Sequence, residues 1–137
     1  MERSMKTRWH RQRGQSLLET AMMIVVIFLV SFWIFELGWL VYTYSVLADA
    51  ANEGVRYSIV SSGGDANGTK TIVRDVAGTS LPNTACPPLC TTVTFPNGAA
   101  PPNTVQVTVT YKYAPVFSNY LTAFIMQAEA QGGRVVP

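Results

Sequence analysis

Two carboxylates and two thiols are the residues of this chain best placed to do chemistry. Glu19 stands at the start of an apolar run from Thr20 to about Tyr44, and Glu36 interrupts it. A carboxylate in apolar surroundings is tolerated when paired or protonated, so each acid is a candidate partner for an amine, and an intramembrane acid is a functional candidate by default. Cys86 and Cys90 flank Pro87-Pro88-Leu89, and thiols that close outside the cytoplasm read as a local disulfide. A structural zinc site usually has four protein ligands, and the one histidine, His10, lies before the apolar run. No catalytic constellation accompanies these groups. There is no Walker-type loop, no HExxH and no later histidine to act as a base, and the acids after Tyr44 show no paired spacing. The reading is no enzyme, no cofactor and no metal.

The elements that hold these residues follow from charge and hydropathy. Arg3, Lys6, Arg8, Arg11 and Arg13 precede Gly14 against a lone Glu2, and little charge follows until Asp49. Spanning a hydrocarbon core of about 30 Å takes roughly 20 apolar residues in a helix, and the segment from about 18 to 44 exceeds that. At a rise of about 1.5 Å per residue, Glu36 falls near one border when Leu17 is at the other. The basic tail beside an apolar span is the positive-inside pattern: the N-terminus is expected in the cytoplasm, the span in the inner membrane, and everything after Tyr44 outside the cytoplasm. A nucleic-acid-binding tail explains the tail but not its neighbour. Ala48-Asp49-Ala50 has the form of a signal-peptidase site, yet signal h-regions are only about 7 to 15 residues long.

The helix is expected to continue past the bilayer. Trp39, Tyr42 and Tyr44 supply an interfacial aromatic belt; then Val46, Leu47, Ala50, Gly54 and Tyr57 recur at helical spacing, and Glu53 can pair with Arg56. Ser31, Gly38 and Gly54 allow close helix approach. This gives a basic leader over 1–14 without fixed structure, one helix over 15–60 and a small external domain over 61–137. With 137 residues in all, that domain builds only a modest core. Within it, Ser61 to Gly68 reads as a turn-forming tract, and a short helix runs from near Thr69 to near Gly78. Thr91–Phe95 and Thr104–Tyr113 read as strands, the latter with Val105, Val107, Val109 and Tyr111 on one face. Val116 to Leu121 suggests a helical turn. Residues 121–131 fit a strand or a helix; a strand paired with Thr104–Tyr113 and ended by Gly132-Gly133 is the preferred reading. The fold class is α+β: a long N-terminal helix followed by a small antiparallel sheet and a short helix.

Arg13-Gly14-Gln15-Ser16-Leu17-Leu18-Glu19, then Glu36-Leu37-Gly38, then Ala50-Ala51-Asn52-Glu53-Gly54-Val55-Arg56-Tyr57 resembles the N-terminal signature of TadE-like proteins. These are pseudopilins, minor pilin-like subunits of the tight-adherence or Flp pilus machinery, so the resemblance implies that the α+β fold is pilin-like. The resemblance covers about the first 60 residues, and it implies a type IV prepilin leader cut by a prepilin peptidase between Gly14 and Gln15. It also implies that Glu19, the fifth mature residue, compensates the terminal amine of a neighbouring subunit. Implied partners are other pilin-like subunits and an inner-membrane pilus platform, with a role in cell adhesion. Thr20 departs from the aromatic residue or alanine common after that glutamate. Two other readings stand beside this one: a single-pass anchor with an external binding domain and no filament role, and a secreted domain released after Ala50.

Overall fold

The computed structural model describes residues 2–61, 65–98, 103–115 and 122–134, by backbone alone for 2–13 and 134. The chain divides into two units, Met1–Gly38 and Trp39–Pro137. One helix, α1 (Glu2–Val60), contributes to both. Its sequence contains no proline and only three isolated glycines, so nothing breaks the backbone ladder over its length. For the same reason α1 begins at Glu2 and not at Gln15. The basic leader is rich in Arg, Lys, Met and Gln, all good helix formers, and it continues the helix although it carries no apolar periodicity.

In the first unit Leu17, Leu18 and Met22 through Val30 are all exposed, as are Trp33, Ile34, Phe35 and Leu37. Apolar residues surround the helix and leave no polar stripe, the pattern of a helix that lies in lipid. Thr20 is accommodated locally: its hydroxyl donates to the Ser16 carbonyl at 2.9 Å, which satisfies it within its own helix.

In the second unit the outer part of α1 is joined by a short helix and a sheet. Helix α2 (Ala66–Gly78) is capped by Asp65, whose side chain accepts a hydrogen bond from the Asn67 amide at 3.0 Å. A side-chain acceptor at this position satisfies one of the orphan amides of the first turn. The cap moves the start of the helix three residues ahead of the Thr69 expected from periodicity, so Ala66-Asn67-Gly68 is the first turn of α2 and not loop. Its buried face is Thr69, Val73 and Ala77, one residue per turn. Strands β1 (Leu89–Thr94), β2 (Asn103–Tyr113) and β3 (Phe124–Arg134) form an antiparallel sheet in the order β1-β2-β3. After β1 the chain turns over Phe95–Gly98, where the Gly98 amide donates to the Phe95 carbonyl at 3.0 Å. Gly98 adopts φ +93°, a conformation that side chains with a Cβ resist.

Residues 121–131 are strand from Phe124 onward, with Val107 opposite Ala130 and Val109 opposite Ala128. The strand does not stop at Gly132-Gly133; it runs on to Arg134, opposite Asn103. Both glycines stay in register because β2 continues beside them, and Gly132 lets the strand approach α1. A Cβ there would come within 2.5 Å of Val55 Cγ1. The expected turn over Val116–Leu121 lies outside the described residues.

One core joins these elements. It is built from Leu47, Ala50, Ala51 and Val55 of α1, Val73 and Ala77 of α2, and Val105, Val107, Val109, Met126, Ala128 and Ala130 of the sheet, with Leu81, Leu89 and Tyr113 closing it. At roughly 25 cal/mol per Å² of apolar surface removed from water, this shared burial holds α1, α2 and the sheet together. Leu40 packs against this core and Thr43 is buried, so the second unit takes hold of α1 inside the stretch 18–44 expected to span the membrane.

Candidate membrane and assembly segment

The candidate site is the helix segment from Gly14 to Val60, which carries Glu19, Glu36, Gly38 and Gly54. Gln15, Leu18, Glu19, Met22, Met23, Val26 and Ile27 share one side of α1. The three- and four-residue spacing puts Glu19 one turn beyond Gln15 on that side. Gln15 and Glu19 therefore belong to the same surface. Gly14 and Glu19 are exposed, and nothing stands within 4 Å of where a Gly14 Cβ would be. Glu36 is half-buried on the same helix, roughly 25 Å along the axis from Glu19.

The two glycines expected to pack against other helices have different surroundings. Gly38 is open, with no atom within 4 Å of a Cβ position. Gly54 is closed: a Cβ there would lie 2.5 Å from Val73 Cγ2 of α2 and 3.4 Å from Val107 Cγ1 of β2. Its close approach is made to this chain's own short helix. Leu47 and Ala50 are likewise fully buried in the core of this chain, so the amphipathic stripe after Tyr44 is already covered. Ala51, Val55 and Ser58 share that buried face. Periodicity alone missed them because the stripe is wider than the residues chosen for it.

Cys86 and Cys90 are joined in a disulfide with Cα atoms 4.8 Å apart. The bridge shares a cleft of about 200 Å³ with Lys70 and Arg74 of α2. Glu53 and Arg56 approach to 3.8 Å on the exposed side of α1; an exposed pair of this kind contributes little. Among the described residues no group of three or more His, Cys, Asp or Glu is arranged to hold a metal ion.

Among the described residues one helix, Gly14–Val60, is long and apolar enough to cross a membrane. The segment that carries Gly14, Glu19, Glu36 and Gly54 is the segment that matches a known family. Residues 14–56 match the TadE-like protein family. No curated protein and no solved structure matches the chain. The TadE-like match is confined to α1. It ends at Arg56, so α2 and the sheet fall outside it.

Proposed function

We propose that this chain is a TadE-like pseudopilin that takes part in assembling a tight-adherence (Flp) pilus or a related secretion filament. Residues 1–14 are its cytoplasmic leader, α1 anchors it in the inner membrane, and the domain after about residue 60 lies outside the cytoplasm. A prepilin peptidase cuts between Gly14 and Gln15. The mature helix then packs sideways against other pilin-like subunits on an inner-membrane platform. One observation carries this reading: an exposed, largely apolar helix carries Glu19 one turn after Gln15 on the same side, within a segment matching the TadE-like family.

The physical logic concerns Glu19. A carboxylate in an apolar bundle costs several kcal/mol unless it is paired, and a new terminal amine at Gln15 of a neighbour supplies the pair. Gly38, with open space around it, is the position on the span where a second helix comes closest. Gly54 has no part in that contact, since its space is filled by Val73.

The second reading is an inner-membrane anchor whose external domain binds another molecule without a filament. It is favoured by the completeness of the outer unit, which buries the external stripe of α1 in its own core. Mass spectrometry of the chain from cells with a working pilus apparatus tests the first reading: a chain beginning at Gln15 is expected, and one retaining residues 1–14 overturns it. Glu19→Ala separates the two, because an anchor inserts and functions unchanged while a pilin-like subunit assembles poorly.

A further inference from the structure

The outer unit begins at Trp39, and Trp39 is the first residue of the aromatic group that includes Tyr42, its ring 5.6 Å away. Aromatic side chains of this kind gather at the level of lipid headgroups. Leu17 to Gly38 already supplies the roughly 20 residues that a bilayer core requires. The part of the domain that packs beside Trp39 and Thr43 is therefore the part next to the headgroups. It forms a cleft of about 450 Å³ lined by Trp39, Thr43, Pro82, Pro88, Tyr111 and Lys112.

The same end of the sheet carries apolar side chains that the core does not use. Lys112 is opposite Ile125 and Tyr113 is opposite Phe124, with the Tyr113 and Phe124 rings 5.3 Å apart. Ile125 is 73% exposed and Phe124 41%. Among the described residues beyond α1, these two are the large hydrophobic side chains left exposed. The far end of the same two strands is polar: Thr104 is opposite Gly133 and Gln106 is opposite Gln131. That end packs on α1 at Val55 and Ile59, through Gly132. The sheet thus runs along α1 with an apolar, aromatic end at residues 39–43 and a polar end at residues 55–59. Lys112 is the cation of the apolar end.

We propose that the end of the sheet that exposes Phe124, Ile125 and Lys112 is a membrane-docking surface, with Phe124 resting on the buried Tyr113 ring. It seats the external domain on the outer leaflet of the bilayer, with Lys112 against anionic headgroups. The occupant is the lipid surface because Lys112 shares a cleft with the interfacial Trp39 of α1 and the same end of the sheet exposes two apolar side chains beside that cation. Burying Ile125 and Phe124 in the headgroup region removes apolar area from water. A lysine at an anionic surface adds roughly a fivefold preference for that surface. The inference rests on the membrane reading of α1 given above, and its test separates the two.

The full chain is placed in lipid nanodiscs carrying a spin-labelled lipid as quencher, with a fluorophore on one introduced thiol at a time: Phe35→Cys, Ile125→Cys or Gln131→Cys. Quenching at 35 and 125 but not at 131 is the expected result. Quenching at 35 alone overturns the docking surface and leaves the span standing, and equal quenching at 125 and 131 overturns it as well. No quenching at 35 removes the span and the inference together. In nanodiscs with phosphatidylglycerol the quenching at 125 is expected to exceed that in phosphatidylcholine, and Lys112→Gln is expected to abolish the excess. An excess that survives the substitution overturns the part given to Lys112.

Discussion

Gly54 of α1 and Val73 of α2 approach so closely that a Cβ on residue 54 would lie 2.5 Å from Val73 Cγ2. Val73 is fully buried and its methyls branch next to the backbone, so they cannot swing aside. Gly54→Ala would gain about 1 kcal/mol in helix propensity and lose about 1 to 3 kcal/mol to overpacking. The expected outcome is a lower melting temperature of the outer unit, followed by circular dichroism in detergent. Val73→Ala opens the space, so the double variant should be more stable than the sum of the single changes by about 1 kcal/mol. Additive changes would mean that the two residues do not meet.

The adjacent glycines of β3 give a sharper contrast. A Cβ at Gly132 would meet Val55 Cγ1 at 2.5 Å and Ile59 Cδ1 at 2.6 Å, whereas a Cβ at Gly133 would meet nothing within 4 Å. Gly132→Ala is expected to destabilise by about 1 to 3 kcal/mol through overpacking. Gly133→Ala should be neutral or stabilising by up to about 1 kcal/mol, since glycine is costly in a strand. Equal effects at the two positions in a urea titration would place the strand in another register.

These contacts also explain what the sequence disclosed and what it withheld. The alternation of Val105, Val107 and Val109 was readable because a half-buried strand repeats every two residues, and the apolar span was readable because lipid tolerates little else. Gly54 was open to misreading: the spacing announces a close helix approach but cannot say whether the approaching helix is another subunit's or α2. The start of α2 depended on the Asp65 side chain reaching the Asn67 amide, a single local bond that outweighed the turn-forming look of residues 66–68. The continuation of β3 through Gly132-Gly133 was invisible because two glycines end a strand on propensity alone. Here β2 pairs with them to the end, and α1 needs the missing side chain at 132. Exposed Ile125 and Phe124 acquired meaning only when the register set them beside Lys112 and Tyr113.

Ser58 offers a test of how closely the core is optimised. It is fully buried on the face of α1 that meets the sheet, and its hydroxyl has no hydrogen-bond partner. A buried polar group without a partner costs about 1 to 3 kcal/mol, and alanine is the better helix former. Ser58→Ala should therefore raise the stability of the outer unit by about 1 kcal/mol, read as a higher melting temperature. A fall in stability would reveal a partner for the hydroxyl.

The last prediction concerns the bond after Gly14. The helix α1 runs unbroken from Glu2, so the peptide between Gly14 and Gln15 is helical and its carbonyl is engaged along the axis. The cleavage proposed between the two requires that turn to open. Glycine makes the opening easier, because in a helix interior it is about 1 kcal/mol less favourable than alanine. Gly14→Ala removes that weakness, and nothing within 4 Å obstructs the added methyl. Membrane insertion and the stability of the outer unit are thus expected to be unchanged, while the full-length precursor accumulates in cells with the peptidase. Gly38→Ala serves as the matched control: its Cβ also meets nothing within 4 Å, yet it lies far along the span, and cleavage should proceed as before. Mass spectrometry of the N-terminus distinguishes the two variants. Equal cleavage of both would mean that helix opening at Gly14 does not limit processing.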